Sequence, residues 1–330
     1  MVRKRLLMLL KPSDVYPSRG SSSVHSVSSN RRKVTIVIFL LSTFQVLKYL
    51  HDRTLAHKHA INLIQNILEK KAVDWKAFFR SDLSEPIHDV DFVISVGGDG
   101  TLLQASHLMD DKIPVLGVNS DPTRPEEVAE LSEEFDATRS TGYLCAATVD
   151  NFEHMLDGIL ANREEPSELA RMAITINSKP ISTLALNDIL LAHPCPATVS
   201  RFSFRIKKNG EPFSSLQHSR SSGLRVSTAA GSTAAIHSCG GSIMPILSKD
   251  LQYMVREPIS PGTNKNSVHG FVKSNDSMDI SWFCKKGLLY IDGSHVVHSV
   301  QLGDSIELST KGPPLKVYLS NHLLSQCRNE

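Results

Sequence analysis

Residues 89–101 read DVDFVISVGGDGT, and this stretch decides the fold. Asp89 to Val96 is short, apolar and β-branched, as a buried strand requires, and it stops abruptly at Gly97-Gly98. Thr101 to Met109 then reads as a helix, and Ile113 to Val118 (IPVLGV) as a second strand. Strand, glycine turn, helix and strand over about thirty residues form a βαβ unit, which implies a parallel sheet.

Outward toward the N-terminus, residues 3–10 end in an apolar run that reads as a buried first strand. The Ser-rich stretch from Ser18 to Ser29 reads as a flexible loop. Val46, Leu47, Leu50, Ile61, Ile64, Ile67 and Leu68 recur at three- and four-residue spacing, which predicts one or two amphipathic helices ending near Lys71. Between them, Val34 to Leu41 is far short of the ~20 apolar residues of a membrane span. It reads as a buried strand or an unpacked insertion, and residues 18–42 together as an atypical insertion.

Toward the C-terminus the pattern changes. Asn151 to Leu160 is helical, and then Ala173–Ile176, Ser200–Ile206, Gly223–Ser227, Leu288–Ile291, Ser305–Leu308 and Leu315–Leu319 are short strand-like segments between turn residues. The expected fold is an α/β N-terminal domain with a parallel, Rossmann-like sheet over residues 1–165, followed by an all-β, sandwich-like domain over 166–330. The length of 330 residues suits two domains and needs no disulfide or metal staple.

Composition narrows the partners. Apolar residues at 41% and charged residues at 21% exclude wholesale disorder, and a net charge of +2 gives no broad field for nucleic acid. Anion binding must therefore come from a local site. Five scattered cysteines without a C-x-x-C pair fit thiols in a reducing compartment, and neither they nor the scattered histidines show zinc-ligand spacing, so no metal residue is assigned. The C-terminal residues lack peroxisomal, ER-retention and prenylation signals, so the cytosol is the expected location, with no membrane partner.

Three motifs carry chemistry. In Gly97-Gly98-Asp99-Gly100-Thr101 the glycines admit a phosphate close to the backbone, and the following helix offers its positive end to the same anion. No Gly-Lys-Thr follows and no lysine is nearby in the chain, so this is not a Walker loop. Asp99, between glycines, can face a ligand hydroxyl and take its proton; helix capping is the alternative. Gly223 to Ala235 (GLRVSTAAGSTAA) offers Ser227, Thr228, Ser232 and Thr233 around space that no bulky side chain fills, which suits a ribose, phosphate or base edge, or else close packing of backbones. Asn187-Asp188 interrupts an apolar stretch and reads either as a binder of several hydroxyls or as a turn.

Taken in this order, the three motifs resemble the NAD kinase family over roughly residues 85–310, with Ile291-Asp292-Gly293 also similar. LNDILLAHPCPATVSRFSF, STAAGSTAA and REPISPG look most like the plant-type NADH kinases. The resemblance implies ATP-dependent phosphorylation of the adenosine-ribose 2′-hydroxyl of NADH, and of NAD⁺ as a further acceptor, in the cleft between the domains. It implies Mg²⁺ carried with ATP, and a homodimer formed through the β-rich domain. It makes Asp99 the catalytic base and ribose contact, and places Gly97, Gly98, Gly100 and Thr101 near the ATP phosphates. Gly100, Asn187, Asp188, Arg201, Ser222, Thr228, Gly231, Ser232, Thr233 and Ala234 then form the dinucleotide site.

Departures from the family pattern matter. Ser222 stands where the family usually has an acid, and a neutral group there removes a preference for the cationic oxidised nicotinamide. Ala235 replaces a Tyr and cannot stack on a base. Pro122 to Ser140 is longer and more acidic than the family's turn, and reads as a solvated helix face or as a lid or partner surface. A non-catalytic dinucleotide sensor and a lipid kinase of the diacylglycerol or sphingosine type are the rival readings.

Overall fold

The computed structural model describes residues 3–12, 30–133, 135–259 and 268–326. The chain forms two compact units, one of Met1–Ser84, Asp89–Leu102 and Val115–Glu165, the other of Glu85–His88, Leu103–Pro114 and Pro166–Glu330.

In the first unit, β1 (Lys4–Leu10), β2 (Val73–Phe79), β3 (Phe92–Gly97) and β4 (Val115–Asn119) form a parallel sheet in the order β2-β1-β3-β4. Met8, Leu9, Val93, Ile94, Leu116 and Val118 are buried, the near-continuous apolar run expected of strands covered on both faces. The helix α1 (Asn30–Lys70) joins β1 to β2, and buries His57, Ala60, Ile64 and Leu68 at three- and four-residue spacing. Val34 to Leu41 is part of this helix and not a buried strand. No Gly or Pro lies between Gly20 and Pro86 to interrupt a helix there. The Ser18–Ser29 stretch lies outside the described residues. After Gly97 the chain turns into α2 (Asp99–Ser106), which starts and ends earlier than the periodicity suggests.

The second unit carries two antiparallel sheets. One pairs Ser200–Lys208 with Gln217–Ser221 on one side and Asp276–Trp282 on the other, then Ser305–Ser309 and Ala173–Ile176. The other runs His269–Val272, Leu251–Arg256, Gly223–Ser227, Asp188–Ala192, Lys286–Ile291 and Val296–Gln301. Side chains from both sheets meet in one core, where Phe202 stacks on Trp282 and Phe204 meets Tyr253 edge-on at 5.2 Å. This is the sandwich that the alternating segments predict. Among the described residues, no helix is long and apolar enough to cross a membrane.

Arg171, at 1% exposure, is the unit's most deeply buried cation. Its guanidinium donates to the carbonyls of Pro313, Pro314, Ser106, Met109 and Asp110 at 2.8–3.3 Å, which uses all the donor capacity of an arginine. These bonds pin the segment after α2 to the β-rich unit. Arg171→Met fills similar space but strands five buried carbonyls, so it should lower stability by at least ~3 kcal/mol in urea unfolding.

Candidate functional site

Around Asp99 the first unit folds a loop onto the glycine turn. One carboxylate oxygen accepts the Tyr143 N–H at 2.9 Å and the other the Leu144 N–H at 2.8 Å, while the Ser140 hydroxyl approaches at 3.4 Å. The Asp99 N–H in turn donates to Ser140 Oγ. Asp99 therefore braces the loop Ser140–Cys145 and does not cap its own helix. Burial pushes its carboxyl above the ordinary aspartate range, and the bonds from Leu144, Tyr143, Ser140 and Cys145 only partly offset this. These four donors meet the roughly four lone-pair positions of a carboxylate, but the Ser140 hydroxyl at 3.4 Å and the Cys145 thiol at 3.9 Å are long contacts that a better-placed donor would displace.

The glycines are not equivalent. A Cβ on Gly97 would sit 2.2 Å from Thr101 Oγ1, and one on Gly98 would sit 2.7 Å from Ser140, so packing within the chain demands glycine at both. At Gly100 a Cβ would meet nothing within 4 Å, so packing within the chain does not demand glycine there and the space beside it is open. Thr101 is buried, its Oγ1 has no hydrogen-bond partner, and its bulk lies against Gly97.

In the second unit a different carboxylate organises the motifs. Asp292, in the left-handed region at φ 50°, accepts the N–H groups of Leu186, Asn187 and Asp188 at 2.7–3.0 Å. His107 Nε2 lies 2.9 Å from the same carboxylate. These bonds set the corner at which the strand Asp188–Ala192 begins. Thr228, fully buried, donates to the Leu186 carbonyl at 2.5 Å, and Ser232 donates to the Ala229 carbonyl and accepts the Met244 N–H. A Cβ on Gly231 would come within 2.2 Å of the Asn187 carbonyl. The two motifs expected to work together are thus brought together. Their hydroxyls shape backbone, whereas the Asn187 side chain has no hydrogen-bond partner among the described residues.

Asp188 is buried and ion-paired with Arg225, which lies diagonally across the pairing of Gly223–Ser227 with Asp188–Ala192, where Ser227 is directly opposite Asp188 and Arg225 is opposite Leu190. Burial pushes its carboxyl up, and Arg225 opposes this. Thr233 and Ala234 lie half-buried in the turn after Gly231. Two expected residues stand apart from this cluster. Ser222 precedes the strand that ends at Ser227, about 20 Å of extended chain from Thr228, and is bonded to Arg256. Arg201 is exposed on the other sheet, paired with Arg220.

Sequence reading missed Ser140, Arg225, His107 and the role of Asp292. Only Asp292 left a signal, as an acid before a glycine near the end of the chain. Asp292→Asn keeps the shape but removes the charge that three main-chain N–H groups share, and should cost about 2–3 kcal/mol in urea unfolding.

Residues 24–121 match the family model described as the ATP-NAD kinase N-terminal domain. The chain is 53% identical to a probable NADH kinase of Oryza sativa subsp. japonica over 327 residues, 99% of each chain. It is 54% identical to an NADH kinase of Arabidopsis thaliana over 333 residues, covering 100% of this chain and 99% of that one. Among solved structures, an NAD kinase from Archaeoglobus fulgidus in complex with ATP aligns at TM-score 0.63 and 18% identity, covering 98% of this chain and 97% of that one. Yeast NADH kinase complexed with NADH aligns at TM-score 0.66 and 15% identity, covering 99% and 87%. At these identities the two structures support the fold, while the full-length plant relatives carry the assignment. By that full-length similarity the chain belongs to the NAD kinase family.

Proposed function

We propose that the protein is a kinase that transfers the γ-phosphoryl group of ATP to the adenosine-ribose 2′-hydroxyl of NADH, and of NAD⁺ less readily. The observation that carries this reading is Asp99, a half-buried carboxylate, each oxygen of which accepts one main-chain N–H while its other contacts are long, beside a glycine turn with open space at Gly100. The full-length similarity to relatives named NADH kinase supports the choice of acceptor.

In the proposed reaction the 2′-oxygen attacks the γ-phosphorus, the bond to the β-phosphate oxygen breaks, ADP leaves, and the hydroxyl proton passes to Asp99. Gly97, Gly98, Gly100 and Thr101 form the phosphate-side turn. Asn187 offers its free amide to the dinucleotide's ribose, and the Asp188–Arg225 pair lies at the same corner. Thr228, Gly231 and Ser232 hold that corner in shape, with Thr233 and Ala234 beside it. Mg²⁺ carried by the nucleotide would offset phosphate charge. Asp99 and Asp121, the acids nearest the turn, are already bonded to backbone N–H groups and to guanidiniums respectively, so they suit a metal that arrives with its substrate. A homodimer acting in the cytosol completes the reading.

Asp99→Asn should lower kcat by about 10²–10⁴ while leaving the NADH dissociation constant within a few-fold. Loss of NADH binding as well would remove Asp99 from the chemistry. A parent protein that binds NADH but transfers no phosphate would make it a dinucleotide sensor. Because the base works ionised and its pKa is raised, kcat/KM should fall with decreasing pH through a pKa above the ordinary aspartate value of ~3.9. An acid limb at or below that value in the pH–rate profile would count against Asp99 as the base. For acceptor choice, Ser222→Asp should shift the NADH/NAD⁺ ratio of kcat/KM toward NAD⁺; an unchanged ratio would remove Ser222 from selectivity.

A further inference from the structure

We propose that Lys11, delivered by the neighbouring strand, is the phosphate-binding cation that the Gly97-Gly98 turn lacks in its own sequence. The inference deepens the kinase reading and rests on it for the identity of the ligand.

Parallel pairing of β1 with β3 sets Leu10 opposite Val96, so the next residues, Lys11 after β1 and Gly97 at the end of β3, come to the same place. The Lys11 N–H donates to the Val96 carbonyl at 3.0 Å, and Lys11 Cβ lies 3.2 Å from where a Cβ on Gly97 would be. On the other side of the main chain, buried His57 holds the Lys11 carbonyl through Nε2 at 2.8 Å. A carbonyl only accepts, so Nε2 carries the proton and Nδ1 accepts from Ser120 Oγ, also at 2.8 Å. The backbone of Lys11 is fixed while its ammonium is uncommitted.

Lys11, Gly97 and Gly98 line one cavity of about 380 Å³, together with Arg53, His57 and Arg139. The two guanidiniums are spoken for. Arg53 pairs with Asp121 at 2.6 Å and Glu127 at 3.6 Å, and Arg139 pairs with Glu127 and bonds the Pro122 carbonyl and Tyr49 Oη. Both lie over the Tyr49 ring, whose hydroxyl donates to the Ala137 carbonyl, so the acidic segment after Asn119 is clamped to α1 as a wall of the cavity.

By contrast, the Lys11 ammonium has neither ion pair nor hydrogen bond among the described residues, and the same holds for the nearby Arg80 guanidinium. Burial and Arg80 both lower the proton affinity of Lys11, and Asp121 only partly opposes them. Two like charges kept together, partly out of water and offset only in part by Asp121, form a site that an anion would relieve. Backbone N–H groups of a glycine turn beside an ammonium are the elements that hold a nucleotide's β- and γ-phosphates in a P-loop, here assembled from two strands.

The test compares the parent protein with Lys11→Met, Lys11→Gln and Lys11→Arg. It measures the KM for MgATP at saturating NADH, the NADH dissociation constant, and calorimetric binding of inorganic tripolyphosphate. Met and Gln should raise the ATP KM and the tripolyphosphate dissociation constant about 10–100-fold with NADH binding within twofold, and Arg should recover most of the loss. Should the variants melt early, the parent alone suffices: tripolyphosphate should protect Lys11 from acetic anhydride, read by peptide mass spectrometry. Unchanged tripolyphosphate affinity in Lys11→Met, absent protection, or a parent that binds no tripolyphosphate overturns the assignment. Lys11-dependent binding in a parent that transfers no phosphate keeps the anion site and discards the kinase reading. Active Lys11→Met with a parental ATP KM does the reverse.

Discussion

A carboxylate drawn partly out of water must be met by donors, and the loop Ser140–Cys145 of the first unit is arranged around meeting that demand at Asp99. The N–H groups of Tyr143 and Leu144 supply most of it, so the loop that carries them is drawn onto the glycine turn. Ser140 comes with that loop and presses on Gly98, and Thr101 presses on Gly97, which leaves no room for side chains at either position. Because these donors compensate the burial only in part, the carboxyl stays above the usual aspartate range, which suits a group that takes up a proton.

The second unit uses the same device for a different end. Asp292 gathers three successive N–H groups and so fixes the corner carrying Asn187 and Asp188. Thr228 and Ser232 turn their hydroxyls to carbonyls of that corner and its turn. In both units, then, an acid shapes backbone, while the side chains of Asn187 in one and Lys11 in the other have no hydrogen-bond partner among the described residues. A hydroxyl-rich motif is therefore a poor guide to direct contacts, because buried hydroxyls are first claimed by the chain's own carbonyls.

Much of the fold was legible because burial writes a local period into the sequence. Phe92, Val93, Ile94 and Val96 are apolar, and even Ser95 among them is buried, since both faces of the sheet are covered, whereas SRFSFRI alternates in sequence because Phe202, Phe204 and Ile206 turn to the core between the two sheets. The apolar run at Val34 to Leu41, read as a buried strand or an unpacked insertion, is instead helical, because a short apolar run carries no period of its own and here it belongs to the helix that continues past it. The site was legible only as three motifs. Arg225 and His107 left no trace, since each acts on a residue distant in sequence, one across a strand pair and the other across 185 positions.

The sequence by itself determined the βαβ start, the later change to short strands, and the three motifs on which the family membership was read. Which atoms meet was decided by tertiary structure alone. Periodicity tells which face of an element is buried, but strand register and loop closure set what lies opposite. Lys11 and Gly97 are 86 positions apart and adjacent only because β1 and β3 run parallel in one register. A shift of one residue in that pairing would turn the lysine to the other face of the sheet.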